Sequence, residues 1–288
     1  MNQPLQHDSR AAVVSLPVNA TLKARGAEEE RLVCLAEELP IAFRYDGFAH
    51  GVMMATPADL HDFAVGFSRS EGIIDSISEI REISIIHSDE GAIVDISLGS
   101  SALHHYLAGR RVRQLRGHTS CGLCGVEDLD DVRRPLARLR PAASPAAGSI
   151  TAALTALRQW QPLSRHTRGA HASAWVALDG TLRIVREDVG RHNSLDKLIG
   201  ATLRSDDTAV EHGFCLITSR CSFEMAQKAV AAGFATLVSA GAPTGLAVRL
   251  AEAAGLTLYS LTRDGDPLQF TSPVRWEDED DSCPQARS

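Results

Sequence analysis

Residues 214–261 read FCLITSRCSFEMAQKAVAAGFATLVSAGAPTGLAVRLAEAAGLTLYSL. Three short apolar runs, Phe214–Thr218, Ala235–Ser239 and Leu256–Leu261, alternate there with two stretches of helical spacing, Ser222–Ala232 and Thr244–Ala254. Gly233 and Gly255 fall where a helix C-terminus favours positive φ. Strand–helix alternation of this length predicts right-handed crossovers and a largely parallel α/β sheet. In such a sheet ligands bind beyond the carboxyl ends of the strands. Those ends carry Ser219-Arg220, Ser239-Ala240-Gly241 and Thr262-Arg263-Asp264. The first two run into helix starts, whose free backbone N–H groups suit phosphate. A pyrophosphate site is the expectation, with Asp264 or Asp266 as the carboxylate that would accept from a guanine.

Upstream of this block the pattern continues as a hairpin, Ala172–Leu178 and Thr181–Arg186 around Asp179-Gly180, followed by a helix over Asn193–Leu203. Between them Arg186-Glu187-Asp188-Val189-Gly190-Arg191-His192-Asn193 is the densest polar cluster in the chain. It reads either as a solvated turn in which Asn193 caps the next helix, or as a polar rim where Arg191, His192 and Lys197 meet an anion. His171 precedes a strand and fits either a ligand contact or a buried, hydrogen-bonded histidine.

The first half has another texture. Leu39–Tyr45 and Phe48–Met54 flank the turn signal Asp46-Gly47, and Glu79–His87 and Ala92–Leu98 flank Asp89-Glu90-Gly91. Thr56-Pro57 suggests an N-cap and first helical position for a helix through Phe67 that stops at Gly72. A short helix, Ala102–Ala108, then leads into Arg110, Arg111, Arg113, Arg116 and His118 and the loop Cys121-Gly122-Leu123-Cys124-Gly125. Val126–Leu139 has acids suited to a helix start, Arg140–Gly148 reads as a connector, and Thr151–Trp160 as a helix. The organisation expected is a poorly ordered arm over 1–30, an α+β unit over 31–148, an α/β unit over 149–273, and a disordered acidic tail over 274–288.

Neighbouring positive charge favours thiolate over thiol, and the thiolate is the nucleophile. Cys121 and Cys124 therefore read as a reactive or redox pair, as zinc ligands together with His118, or as an inert loop. A second CxxC or His pair at finger spacing is absent from the sequence. No histidine is followed two positions later by Glu, and Ser120 stands where a zinc deaminase has proline before its first cysteine. A thioredoxin-like exchanger is disfavoured because no opening βαβ pattern leads into the motif. Cys215 lies inside an apolar strand, Cys221 reads as packing more readily than as pocket lining, and Cys34 and Cys283 carry no signal.

Composition narrows the class. The chain has 288 residues, 44% hydrophobic and 23% charged, with six cysteines, which is too few for a disulfide scaffold and suits a reducing cytoplasm. The net charge of −7 owes much to the tail: leaving out residues 277–288 removes five negative charges and one positive and leaves −3. A broadly basic nucleic-acid-binding surface is not indicated. No apolar run approaches the roughly 20 residues that cross a bilayer, and the N-terminus has no signal-peptide pattern.

Four motifs in order, residues 121–125, Arg-Glu-Asp-Val-Gly-Arg-His-Asn-Ser-Leu-Asp-Lys at 186–197, Ser-Phe-Glu-Met-Ala-Gln-Lys-Ala at 222–229 and Ala-Pro-Thr-Gly-Leu-Ala-Val at 242–248, resemble the FdhD family over about residues 35–272. The resemblance implies a sulfurtransferase that carries persulfide sulfur from a cysteine desulfurase to molybdenum bis(molybdopterin guanine dinucleotide) for formate dehydrogenase. It implies Cys121 as the persulfide carrier, Cys124 as its assistant, and the homodimer as the assembly. It also implies a three-layer second domain like that of cytidine deaminases but without their zinc site. The family's cofactor-binding segment falls on Tyr259, Ser260, Leu261, Thr262, Arg263 and Asp264. Ser219, Arg220, Arg191 and His192 complete the expected cofactor set, a guanine nucleotide is expected to mimic the cofactor, and no metal is expected. The alternative from another class is a chaperone that holds the molybdenum cofactor without transferring sulfur.

Overall fold

The computed structural model describes residues 13–24, 27–88, 90–114, 136–205 and 212–272. The chain begins with an antiparallel ribbon, β1 (Ser15–Ala24) and β2 (Ala27–Ala36), in register from Ser15 opposite Ala36 to Ala24 opposite Ala27. This differs from the irregular arm expected through residue 30. Leu16, Val18 and Leu22 alternate along β1, with Leu35 and Val33 opposite the first two, and Lys23 pairs with Glu28 at 3.2 Å. The cross-strand ion pair absorbs part of the acidic run that made this stretch look unstructured.

The first sheet has the order β4-β3-β6-β5, built from β3 (Leu39–Tyr45), β4 (Phe48–Ala55), β5 (Ile80–Ser88) and β6 (Gly91–Leu98). Asp46 and Gly47 both take positive φ, as the two-residue turn between β3 and β4 requires. Helix α1 (Leu60–Ser70) and helix α2 (Ser100–Gln114) cover this sheet. Phe63, Phe67 and Tyr106 enter the same cluster as Ile41, Phe43, Val94 and Ile96. Helix α2 runs past Ala108, so the backbone of Arg110, Arg111 and Arg113 is helical.

Helix α1 does not start at Thr56-Pro57. Its N-cap is Asp59, and Gly72 closes its C-terminal turn at positive φ. Thr56 is used elsewhere: its N–H donates to Asp188 Oδ2 at 3.1 Å, its hydroxyl accepts from the Val189 N–H at 3.2 Å, and its carbonyl accepts from Lys197 Nζ at 2.8 Å. A tertiary contact has displaced a local cap.

The second unit begins with irregular backbone over 136–146, so the C-terminal part of the helix expected at Val126–Leu139 is not helical; its remainder lies outside the described residues. There follow α3 (Ala147–Leu157), α4 (Pro162–Thr167), β7 (His171–Ala177), β8 (Leu182–Asp188) and α5 (Arg191–Arg204). Then come β9 (Gly213–Arg220), α6 (Phe223–Ala231), β10 (Thr236–Gly241), α7 (Gly245–Ala254), β11 (Thr257–Leu261) and β12 (Pro267–Gln269). The sheet order is β12-β11-β10-β9-β7-β8. Only β9, β10 and β11 pair in parallel; β7 is antiparallel to both β9 and β8, and β12 is antiparallel to β11. The largely parallel sheet read from the sequence is thus a parallel core with hairpin strands added at both edges.

Alternating side chains make this sheet the middle of three layers. Cys215, Ile217, Leu237 and Leu258 lie under α5, α6 and α7. Phe214, Leu216, Val238 and Tyr259 face Ile150, Ala153 and Leu157 of α3. No helix among the described residues is long and apolar enough to cross a membrane.

The two units meet where α1 crosses α5. A Cβ placed on Gly66 would come within 1.7 Å of the Asp196 carbonyl oxygen, and one on Gly200 within 1.8 Å of that of Asp62. Only glycine permits so close a crossing at both positions.

Candidate functional site

The carboxyl ends of β8, β9, β10 and β11 share one edge of the sheet, because β8 runs parallel to β9 across β7. Short connections then place the N-termini of α5, α6 and α7 on that same edge. His171, the first residue of β7, lies opposite Asp188 and so joins it. Arg220 ends β9 and is exposed, with no acidic partner among the described residues. It pairs with Gly241 just beyond an irregularity in β10, and a Cβ on Gly241 would lie 2.8 Å from Arg220 Cγ. Glycine at 241 therefore gives the arginine its room. Ser219 is buried, its hydroxyl donating to the Arg220 carbonyl at 3.0 Å. Thr244 caps α7, accepting from the Ala247 N–H, while its own N–H donates to the Cys221 carbonyl at 3.0 Å.

Arg191 is the first residue of α5, and its charge acts on two histidines. His171 lies below the ordinary imidazole range because burial disfavours its cation and Arg191 adds to the effect, with Asp188 opposing. His192 is likewise lowered, by burial first, with Arg191 and Lys228 reinforcing and Glu224 opposing. His192 Nε2 stands 2.7 Å from Glu224 Oε2. The rim thus carries two arginines, and its histidines hold their protons less firmly than usual.

The segment 259–264 divides in two. Tyr259 and Ser260 are buried strand residues; the Tyr259 side chain packs on the α3 side, and its carbonyl accepts from Ser239 Oγ at 3.2 Å. Leu261 is half-buried. Thr262, Arg263 and Asp264 are exposed in the turn between β11 and β12. That turn is closed by the Thr262 N–H to the Asp266 carbonyl at 2.8 Å and the Asp266 N–H to Thr262 Oγ1 at 3.1 Å. The structure therefore brings Arg191, His192, Ser219, Arg220 and the 262–264 turn to one edge, with Tyr259 and Ser260 supporting it from the interior. Cys121 and Cys124, with Arg116 and His118, lie outside the described residues. Cys221 is buried, and burial pushes its thiol up to about 12; Cys215, also buried, is raised too. Neither is a nucleophile in this setting.

Lys197 corrects the sequence reading. It is fully buried, 2.6 Å from Asp188 Oδ2, and cannot meet an anion on the rim. Asp188 also accepts from the Thr56 and Gly190 N–H groups and from Asn193 Nδ2 at 3.0 Å. Gly190, not Asn193, is the N-cap of α5; Asn193 sits inside the first turn and donates to the Met54 carbonyl at 2.8 Å as well. Most of the polar cluster at 186–197 thus serves the junction between units. Arg186 and Arg204 both engage Asp62 of α1.

A second set of charges at the junction is Lys228 with Asp196 at 2.9 Å and Glu71 at 3.2 Å, with Ser70 also donating to Asp196 at 2.6 Å. Burial alone would lower Lys228, but Asp196 and Glu71 outweigh it and leave the ammonium more firmly charged than usual. Reading the sequence one motif at a time missed Glu224, Asp196 and Lys228. The signal was available: His192 and Asp196 are four apart, as are Glu224 and Lys228, so two helices packed side by side match their charges turn by turn. No group of three or more His, Cys, Asp or Glu side chains among the described residues is placed to hold a metal ion.

A family model described as the FdhD/NarQ family matches residues 36–277. A Cupriavidus necator protein named "Sulfur carrier protein FdhD" is 43% identical over 97% of this chain and 97% of its own. One of the same name from Xanthomonas axonopodis pv. citri is 42% identical over 96% of each. A crystal structure from Desulfotalea psychrophila, described as that of a formate dehydrogenase accessory protein, is similar at a TM-score of 0.69. It covers 91% of this chain and 98% of its own at 23% identity, a likeness of fold.

Proposed function

The chain belongs to the FdhD/NarQ family, and from that membership we propose that it is a sulfurtransferase, a sulfur carrier needed for formate dehydrogenase activity. The observation that carries this reading is the pairing of full-length relatives named as sulfur carriers with the sequence Cys121-Gly122-Leu123-Cys124-Gly125. In the proposed reaction the Cys121 thiolate attacks the terminal sulfur of a cysteine desulfurase persulfide. A new S–S bond forms at Cys121, the donor's S–S bond breaks, and the donor cysteine leaves as thiolate. Cys124 assists.

The cargo is delivered to molybdenum bis(molybdopterin guanine dinucleotide), taken as a substrate on the rim. Arg191 and Arg220, neither facing an acid across an ion pair among the described residues, suit its phosphates, as do the helix starts beside them. His192, Ser219 and the segment Tyr259–Asp264 complete the proposed contacts. The three-layer second unit supports the expected likeness to cytidine deaminases, and the homodimer and the cytoplasm remain part of the proposal.

Intact-protein mass spectrometry after incubation with a cysteine desulfurase and cysteine tests it. The expected result is a reductant-sensitive gain of about 32 mass units, one sulfur on a thiolate, lost in Cys121→Ala. Sulfur uptake by Cys121→Ala at the wild-type level overturns the assignment of Cys121. Cofactor binding with no mass gain overturns the carrier and leaves a molybdenum-cofactor chaperone.

A further inference from the structure

Leu16, Val18 and Leu22 share one face of the β1–β2 ribbon, and the pairing sets Leu35 and Val33 opposite the first two. Residues directly opposite in an antiparallel pair lie on the same face, so the ribbon has one apolar face and one largely polar face. Such alternation belongs to a sheet that packs on one side and meets water on the other. Yet every residue from Leu16 to Lys23 and from Glu28 to Leu35 is exposed, the five on the apolar face by 37–49%. The base of the ribbon is held, by the Glu37 N–H donating to the Val14 carbonyl at 2.9 Å and by contact of β2 with α4. Nothing among the described residues covers its apolar face.

A second uncovered face lies on the first sheet. Helices α1 and α2 pack on the side that carries Ile41, Phe43, Val94 and Ile96. On the opposite side Val52, Ala42, Ile93 and Ile86 stand in one row across β4, β3, β6 and β5. Val52 and Ile86, at the two ends of the row, are 51% and 58% exposed. The charges that adjoin the two faces come in pairs: Arg31 with Glu29 at 2.8 Å on the ribbon, and Arg44 cross-strand from Asp95 on the sheet. Neither pair opposes contact between the faces.

We propose that two copies of the chain exchange their ribbons, the apolar face of each β1–β2 lying on the open face of the other copy's first sheet. This names the surfaces of the homodimer already proposed and rests on no feature of the sulfur chemistry. A two-stranded hairpin alone is marginal in water, so whatever covers this one has to be there whenever the chain is folded. A sulfur donor or acceptor comes and goes; a second copy is always at hand. The area suffices as well. At about 3.4 Å per residue and about 4.8 Å per strand, one face of the ribbon presents about 330 Å². A two-fold axis makes the contact twice, which removes about 1,300 Å² from water in all, within the roughly 1,200–2,000 Å² of stable interfaces.

Light scattering on the full chain during gel filtration tests the proposal. The wild type is expected at twice the chain mass. Val18→Lys/Leu35→Lys on the ribbon and Val52→Lys/Ile86→Lys on the sheet are each expected to halve it, with the far-UV circular dichroism of the sheet variant kept near wild type. A variant of either face that stays a dimer overturns these surfaces and leaves the homodimer. A monomeric wild type overturns both and gives the two faces to another protein. Irradiation of Val18→p-benzoylphenylalanine in an otherwise unchanged chain decides the seat even if a lysine variant fails to fold. A covalent dimer joined to residues 40–54 or 82–95 is expected; capture of residues 15–36, or no covalent dimer, overturns the exchange.

Discussion

His171 and His192 carry the pH response expected of this rim. Both lie below the usual imidazole range, so the folded protein binds fewer protons there than the unfolded chain between the folded value and about pH 6.5. The two therefore withdraw stability as pH falls through and below that point, and restore it above. Melting temperatures between pH 7.5 and pH 5.5 should fall less steeply in a His171→Gln/His192→Gln variant than in the wild type. The prediction fails if the two slopes coincide. At this scale the sequence was a partial guide. Arg191, His192 and Arg220 were legible as rim residues because each stands at a strand end or helix start. Lys197 was misread, since nothing local distinguishes a lysine facing solvent from one whose carboxylate partner, Asp188, lies nine residues earlier and equally deep.

Among the elements, the crossing of α1 over α5 depends most on residue identity. The Cβ of alanine at position 66 or 200 would fall inside the van der Waals radius of a backbone carbonyl on the facing helix, and backbone cannot step aside as a side-chain tip can. Gly200→Ala should therefore cost about 3 kcal/mol or more, at the top of the range for overpacking, read as a lower midpoint in urea denaturation. Gly148→Ala, where a Cβ meets nothing within 4 Å, is the control and should leave the midpoint unchanged or slightly raised. The elements themselves were largely readable: the strands at 39–45 and 214–218 and the helices at 222–232 and 244–254 follow from apolar period and glycine stops. The start of α1 was not readable, because Thr56 has the local chemistry of a cap and gives its hydroxyl to the other unit. The antiparallel edges escaped too, because strand spacing reveals alternation and says nothing of which neighbour a hairpin chooses.

For the whole molecule, the motifs at 186–197 and 222–229 divide their residues between the rim and the junction. Asp188, Lys197, Asp196 and Lys228 form two buried charge systems that tie α5 and α6 to Thr56, Ser70 and Glu71 of the first unit. Lys197→Met would strand a carboxylate with no access to water, at a cost of about 3–5 kcal/mol. Asp188→Asn/Lys197→Met should recover a large part of that loss. Chemical denaturation of the single and double variants measures both, and equal destabilisation of the two would show that the charge pair is not the cause. The fold class and the rim could be drawn from sequence because both rest on local patterns. The junction could not, because the bonds that cross it from one unit to the other join residues more than a hundred positions apart.

The glycine crossing has a mechanical corollary. Where two helices touch backbone to backbone, no cushion of side chains is left between them to compress or slide. The halves of this protein are consequently coupled like parts of one casting, and a load applied to either is felt by the other without slack.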